Sequence, residues 1–182
     1  MYDERINKTE RGQLARTPIF VGALIMKNLD VQIVKLEPMR VATVLGFGPS
    51  PEEEAWAKLN AWVGPKGFRD RPEQHRIFGF NNPDPSPGSP NYGYELWIEV
   101  GPDVEPEGDV RIQDFTGGLY AVARCEVPKG KYEVIGKIWK QLATWREDSK
   151  YKPGHHQWLE EAVQFESPAL EFVLDLYIPI AE

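Results

Sequence analysis

The two halves of this chain repeat each other at an offset of 79 residues, and that regularity restricts the fold more than any other feature. Val31, Ile33, Ala42 and Pro49 correspond to Val110, Ile112, Ala121 and Pro128, and the turn Pro38-Met39 corresponds to Gly117-Gly118. In the first half Val31 and Ile33 alternate with polar Gln32 and Lys35. A turn follows at Glu37-Pro38-Met39, and Arg40 to Leu45 reads as the return strand of a hairpin. Ser50-Pro51-Glu52-Glu53 has the form of a capping box, opening a helix that carries Trp56, Leu59 and Val63 and stops at Gly64-Pro65. His75 to Asn81 and Tyr92 to Val100 read as strands joined by the proline-rich run Asn82 to Pro90. The second half gives a strand over Leu119 to Val127 and a helix with Tyr132, Ile135, Ile138, Leu142 and Trp145 on one face. It ends in a short helix predicted over His155 to Gln164 and a strand over Phe172 to Ile180.

Two such units make an α+β fold of duplicated strand-helix-strand-strand units. They form an antiparallel sheet with helices on one face and a central ligand groove on the other. The domain is expected over residues 29–182, with repeats at about 29–100 and 108–182. Residues 1–28 form an N-terminal arm, and Met26 is an alternative start. Phe20 to Met26 is the longest apolar stretch, far short of the ~20 residues that span a bilayer.

Charge and cysteine content exclude several classes. The net charge is −7, from 21 basic and 28 acidic side chains, which argues against direct nucleic-acid binding. The single Cys125 rules out a disulfide framework and fits a reducing, cytoplasmic compartment; its phase with Ala121 and Ala123 makes it a buried small residue. His155 and His156 are adjacent and point apart on a helix, and His75 is the remaining histidine, so no metal site is expected. Gly46-Phe47-Gly48 precedes a helix whose first turn holds Glu52, Glu53 and Glu54, which would repel a phosphate. No cofactor is implied.

Aromatic residues make up 12% of the chain, and strand phase sorts them. Trp56, Ile135, Trp145 and Phe172 read as core under the helices. Tyr94, Leu96, Ile98 and Val100 face the helices, leaving Glu95, Trp97 and Glu99 on the opposite side. In the last strand Val173, Asp175 and Tyr177 are likewise opposite the core face. A carboxylate among aromatic rings loses hydration and either takes up a proton or attracts a cation, and the ring faces attract the same cation. Glu95 with Trp97 is one such pair, the alternative being a solvated surface strand. Glu160 and Glu161, next to Trp158, form another candidate, the alternative being a solvated helix face.

Several runs, in order, carry a family resemblance. They are Ile77-Phe78-Gly79-Phe80-Asn81-Asn82-Pro83, Tyr92-Gly93-Tyr94-Glu95-Leu96-Trp97, Gly117-Gly118-Leu119-Tyr120-Ala121-Val122, Trp139 to Trp145, His156-Gln157-Trp158-Leu159-Glu160-Glu161 and Leu176-Tyr177-Ile178-Pro179-Ile180. Over about residues 29 to 182 the chain resembles the GyrI-like small-molecule-binding domain, the effector-binding domain of AraC-type and MerR-type multidrug-responsive regulators. The resemblance implies a duplicated fold binding bulky, often cationic aromatic compounds against a buried glutamate. That glutamate maps to Glu160, with Glu161 left open, and the implied ligand-binding set is Glu95, Trp97, Trp139, Trp158, Glu160, Glu161 and Tyr177.

The regulators carry a helix-turn-helix domain that residues 1–28 cannot hold, so the chain is expected to be the sensor module alone. A separate DNA-binding regulator or a topoisomerase is then the conceivable protein partner. Two functions follow from the resemblance. One is a module that senses or sequesters a lipophilic cation. The other is a hydrolase opening cyclopropanoid DNA-alkylating toxins, with Glu160 activating water and Tyr177 polarising the leaving system.

Overall fold

The computed structural model describes residues 29–163 and 167–182. The arm at 1–28, the alternative start Met26 and Gln164 lie outside them. The elements are β1 (Val31–Leu36), β2 (Met39–Gly48), α1 (Pro51–Val63), β3 (Ile77–Asn81), β4 (Tyr92–Glu99), β5 (Arg111–Phe115), β6 (Gly118–Pro128), α2 (Glu133–Asp148), β7 (Lys152–Pro153), β8 (Leu159–Val163) and β9 (Leu170–Ala181). Apart from the two-residue β7, which pairs with β9, the order strand-strand-helix-strand-strand runs twice. The fold is α+β, with one antiparallel sheet in the order β1-β6-β9-β8-β3-β4-β2-β5. No helix among the described residues is long and apolar enough to cross a membrane.

The expected hairpin of β1 and β2 does not form. β1 pairs with β6, and β5 pairs with β2, so each half donates its first strand to the other. The connection Glu37-Pro38 lacks the left-handed residues that close a two-residue hairpin. The chain instead turns a corner, where the second half's Gly117 comes against the carbonyl of Leu36. Gly117 has φ +75°, and a Cβ there would strike that carbonyl, so only glycine suits the position.

Register assigns the faces. Val44, Leu96, Gly79, Glu160, Leu176 and Ala123 lie opposite one another on successive strands and therefore share a face. Val44 and Leu96 pack with Ala55, Leu59 and Val63 of α1, while Leu176 and Ala123 pack with Leu142 of α2. Both helices thus cover this face, one on each half of the sheet. Ser50 makes no side-chain cap to α1; the first-turn carboxylate of Glu54 instead accepts the Phe47 backbone N–H at 3.0 Å.

The opposite face is the expected place of the groove, but its centre is filled. Leu36 on one edge strand and Phe115 on the other belong to a single cluster with Phe78, Phe80, Trp97, Tyr120 and Tyr177, so the sheet curls and closes on its own side chains. The rings meet edge to face: Phe80–Trp97 centroids are 4.8 Å apart and Tyr120–Tyr177 centroids 5.6 Å. Cys125 is buried on the α2 side, as its phase predicts, and burial pushes its thiol up to about 11.

The helix expected over His155 to Gln164 is instead strand β8 from Leu159 to Val163. It inserts between β3 and β9 and joins the two halves. Without it both of those strands would leave a row of backbone donors and acceptors unpaired at the centre of the sheet. That tertiary demand outweighs local spacing compatible with a helix.

Candidate functional site

The centre of the helix-covered face is where the two repeats stop being equivalent. Gly79 on β3 and Glu160 on β8 are partners in register, each flanked on its outer side by a leucine, Leu96 or Leu176. One central position therefore has no side chain and the other carries a carboxylate. A Cβ on Gly79 would land on the Tyr94 hydroxyl, so the glycine makes room for that hydroxyl to cross β3 and donate to Glu160 Oε2 at 2.9 Å. From the other side the Trp139 indole N–H of α2 donates to Oε1 at 3.1 Å. Burial holds the Glu160 carboxyl above the ordinary carboxylate range; the donors Trp139 and Tyr94 partly offset this, and the Glu52 charge adds to the rise. Tyr94 is itself held well above its usual range, first by burial and then by the adjacent Glu160 charge.

Glu160 forms part of the lining of a groove of about 1000 Å³ between α1 and α2. Its walls include Trp56, Tyr92, Tyr94, Tyr132 and Phe172, and among the described residues its charged ones are Glu52, Glu53 and Glu160, with no Lys, Arg or His. The Tyr92 hydroxyl donates to Glu52 at 2.7 Å, and burial with that carboxylate pushes Tyr92 up to about 12. Next to the groove, Trp139 and Trp158 lie with ring centroids 5.3 Å apart.

Gly79→Ala should therefore drive the Tyr94 hydroxyl off Glu160 and leave a buried carboxylate short of a donor. The expected cost is about 1–3 kcal/mol, read as a fall in Tm of roughly 2–12 °C for a chain of this size. The same Cβ would also fall 2.6 Å from Cζ and 2.9 Å from Cε1 of Tyr94, so Tyr94→Ala, which removes the whole ring, should make the added alanine at position 79 markedly less costly. A Gly79→Ala protein melting with wild type would remove this account of the glycine.

The structure brings Glu160, Trp139 and Trp158 together and sets the other candidates on the far face. Glu161 accepts both Nε of Arg76, at 2.7 Å, and Nη2, at 2.8 Å, while the Tyr177 hydroxyl donates to its Oε2 at 2.5 Å. The same guanidinium lies 4.9 Å from the Phe78 ring centre. Glu161 is thus already neutralised by a cation of the protein. Trp97 and Tyr177, 6% and 4% exposed, belong to the filled aromatic cluster. Glu95 accepts the Trp97 indole N–H at 2.8 Å and the Asn82 amide at 2.7 Å, and it opens on a separate hollow of about 620 Å³ with Lys58 and Arg111.

Tyr94, Trp56, Ile135 and Phe172 were all placed under the helices by phase, which is the correct face. Trp56, Ile135 and Phe172 are only half-buried and line the groove, because α1 and α2 leave the central strands uncovered between them. The usable sequence signal was Gly79: a glycine inside a strand marks a close approach. Two of the three histidines are structural, His75 stacking on Phe68 at 4.3 Å and His156 meeting the Leu119 carbonyl at 2.9 Å, while His155 is exposed. Among the described residues no group of three His, Cys, Asp or Glu is placed to hold a metal ion.

Comparison with known proteins agrees with this architecture. The family profile of Cass2, integron-associated effector-binding protein, matches residues 32–180. No curated protein sequence matches significantly. Among solved structures, the C-terminal domain of EcmrR superimposes with a TM-score of 0.64 at 13% identity, covering 85% of this chain and 98% of that domain. In the EcmrR–DNA complex the TM-score is 0.63 at 14% identity, over 84% of this chain, and the chain spans only 57% of EcmrR. A hydrolase from Listeria innocua gives 0.61 at 10% identity, over 85% and 93% of the two chains. SAV2435 bound to tetraphenylphosphonium gives 0.51 at 8% identity, over 84% and 94%. At these identities the likeness is one of fold.

Proposed function

The chain belongs to the Cass2 family of integron-associated effector-binding proteins, within the GyrI-like fold, and from that premise we propose that its groove binds a lipophilic aromatic cation against Glu160. One observation carries the reading. A desolvated carboxylate sits in an aromatic-walled groove whose lining, among the described residues, contains three glutamates and no basic side chain. A hydrated or anionic guest gains nothing there. A flat or bulky cation gains burial, ring faces and a counter-charge that water does not screen. SAV2435, similar in fold, is bound to tetraphenylphosphonium, a compound of this class. The module would act by sensing or sequestering such a compound.

The hydrolytic alternative, with Glu160 activating water and Tyr177 polarising the leaving system, is not favoured by the geometry. Those two groups face opposite sides of the sheet, and the Tyr177 hydroxyl is engaged with Glu161. The test of binding is direct. Titration with tetraphenylphosphonium should change the tryptophan emission saturably, since Trp56 and Trp139 lie at the groove and beside Glu160. A linear response, unchanged by a second cationic aromatic compound, would reject the groove as a cation site.

A further inference from the structure

Glu160 does not belong to one cavity. A second hollow of about 790 Å³ lies on its other side, under the connection from β3, lined by Trp139, Trp158, Gln157, Asn82 and Asp84. Glu160 and Asn81 line both spaces. Each hollow supplies one of the two donors to the carboxylate: Tyr94 belongs to the groove, Trp139 to the second hollow. The carboxyl therefore sits at a waist between two aromatic chambers.

The chambers differ in charge. The groove contains Glu52 and Glu53 besides Glu160. The second hollow has Asp84 besides Glu160, and Arg146, which does not line it, holds its guanidinium 5.5 Å from the Trp158 ring centre. The Trp158 ring already has a guanidinium against it, which opposes a second positive group at that ring. Its fitting occupant is an uncharged ring.

Resting on the cation reading above, we propose that the two hollows form one binding site for an elongated guest. The guest carries its positive charge near the middle at Glu160, one aromatic arm in the groove and an uncharged ring against Trp139 and Trp158. The class is an extended, two-armed aromatic cation rather than a compact ammonium ion.

A carbocyanine dye, with one positive charge shared along a chain between two ring systems, is the extended probe; phenyltrimethylammonium is the compact one. Dye anisotropy reports the first and calorimetry the second. Trp158→Ala removes a side chain that is 40% exposed, and Tyr132→Ala removes one that is 55% exposed at the groove end, so both should fold. Each should weaken the carbocyanine roughly 10-fold, the scale of losing one good ring contact. Trp158→Phe should restore most of the loss. Phenyltrimethylammonium, too short to reach both ends, should lose affinity in at most one of the two variants. Carbocyanine binding that stays within about twofold in Trp158→Ala would overturn the two-chamber site while leaving the cation reading intact. Absence of binding by both probes to the wild-type protein would overturn both.

Discussion

Glu160→Gln should weaken tetraphenylphosphonium roughly 10- to 100-fold, about 1.4–2.8 kcal/mol, and at the same time raise the melting temperature. The two effects share a cause. Glutamine has nearly the same shape, and its oxygen can accept the Trp139 N–H while its amide donates to the Tyr94 hydroxyl, so each of the two partners keeps one hydrogen bond to residue 160. Only the charge is lost. A guest cation at this site is attracted through poorly hydrated surroundings, so the loss exceeds that of an exposed pair. In the empty groove, by contrast, burial makes the ionised carboxyl unfavourable and lifts it above the ordinary carboxylate range.

The pH dependence follows with a definite sign. Between the ordinary glutamate range and the raised value, the folded chain keeps a proton that the unfolded chain has lost. Stability therefore falls as pH rises through that interval and then levels off. Glu160→Gln removes this fall, so its advantage in Tm should appear at neutral pH and shrink in acid. Binding runs the other way. A cation favours the ionised form, so affinity declines as pH drops through the raised value, and binding near it releases a proton. Calorimetric titrations in two buffers of different ionisation heat detect that proton. Affinity of Glu160→Gln within twofold of wild type would remove the carboxyl from the site.

The sequence exposed one half of this arrangement well. Period-2 alternation placed Tyr94, Leu96, Leu176 and Ile178 on one face and Trp97 and Tyr177 on the other, and both assignments hold in three dimensions. Which face would be the open one was not readable, because it depends on curl. Leu36 and Phe115 are distant in sequence, on opposite edges of the sheet, and meet only when it closes on itself. The exchange of first strands was equally hidden, since a short turn after an alternating run looks the same whether the strand returns to its neighbour or crosses to the other half. Glu160 and Glu161 illustrate the limit most sharply. As consecutive residues of a strand they point to opposite faces, but only after β8 is known to be a strand.

That one-residue difference sets up the second large effect. Arg76→Met should lower stability by about 3 kcal/mol, roughly 6–12 °C in Tm at this chain length, while leaving tetraphenylphosphonium affinity within twofold. Glu161 is 14% exposed and Arg76 30% exposed, and the guanidinium holds both carboxylate oxygens. Hydrogen bonding to Glu161 raises the Arg76 pKa further, outweighing the effect of burial, so Arg76 stays charged throughout the accessible range. Removing the arginine leaves a carboxylate with the Tyr177 hydroxyl as its remaining side-chain donor, beside the Phe78 and Tyr177 rings. The partial exposure of Arg76 keeps the cost at the low end for a broken buried pair. Adding Glu161→Gln removes the stranded charge but keeps an acceptor for Tyr177, so the double variant should regain at least half of the lost stability. A merely bulky role for Arg76 would give no such rescue. Full stability with markedly tighter tetraphenylphosphonium binding would instead mean that cations enter the far face and that Glu161, freed of its arginine, is their counter-charge. Because the sheet separates the two carboxylates, paired measurements of Tm and affinity on Glu160→Gln and Arg76→Met distinguish these arrangements without a bound structure.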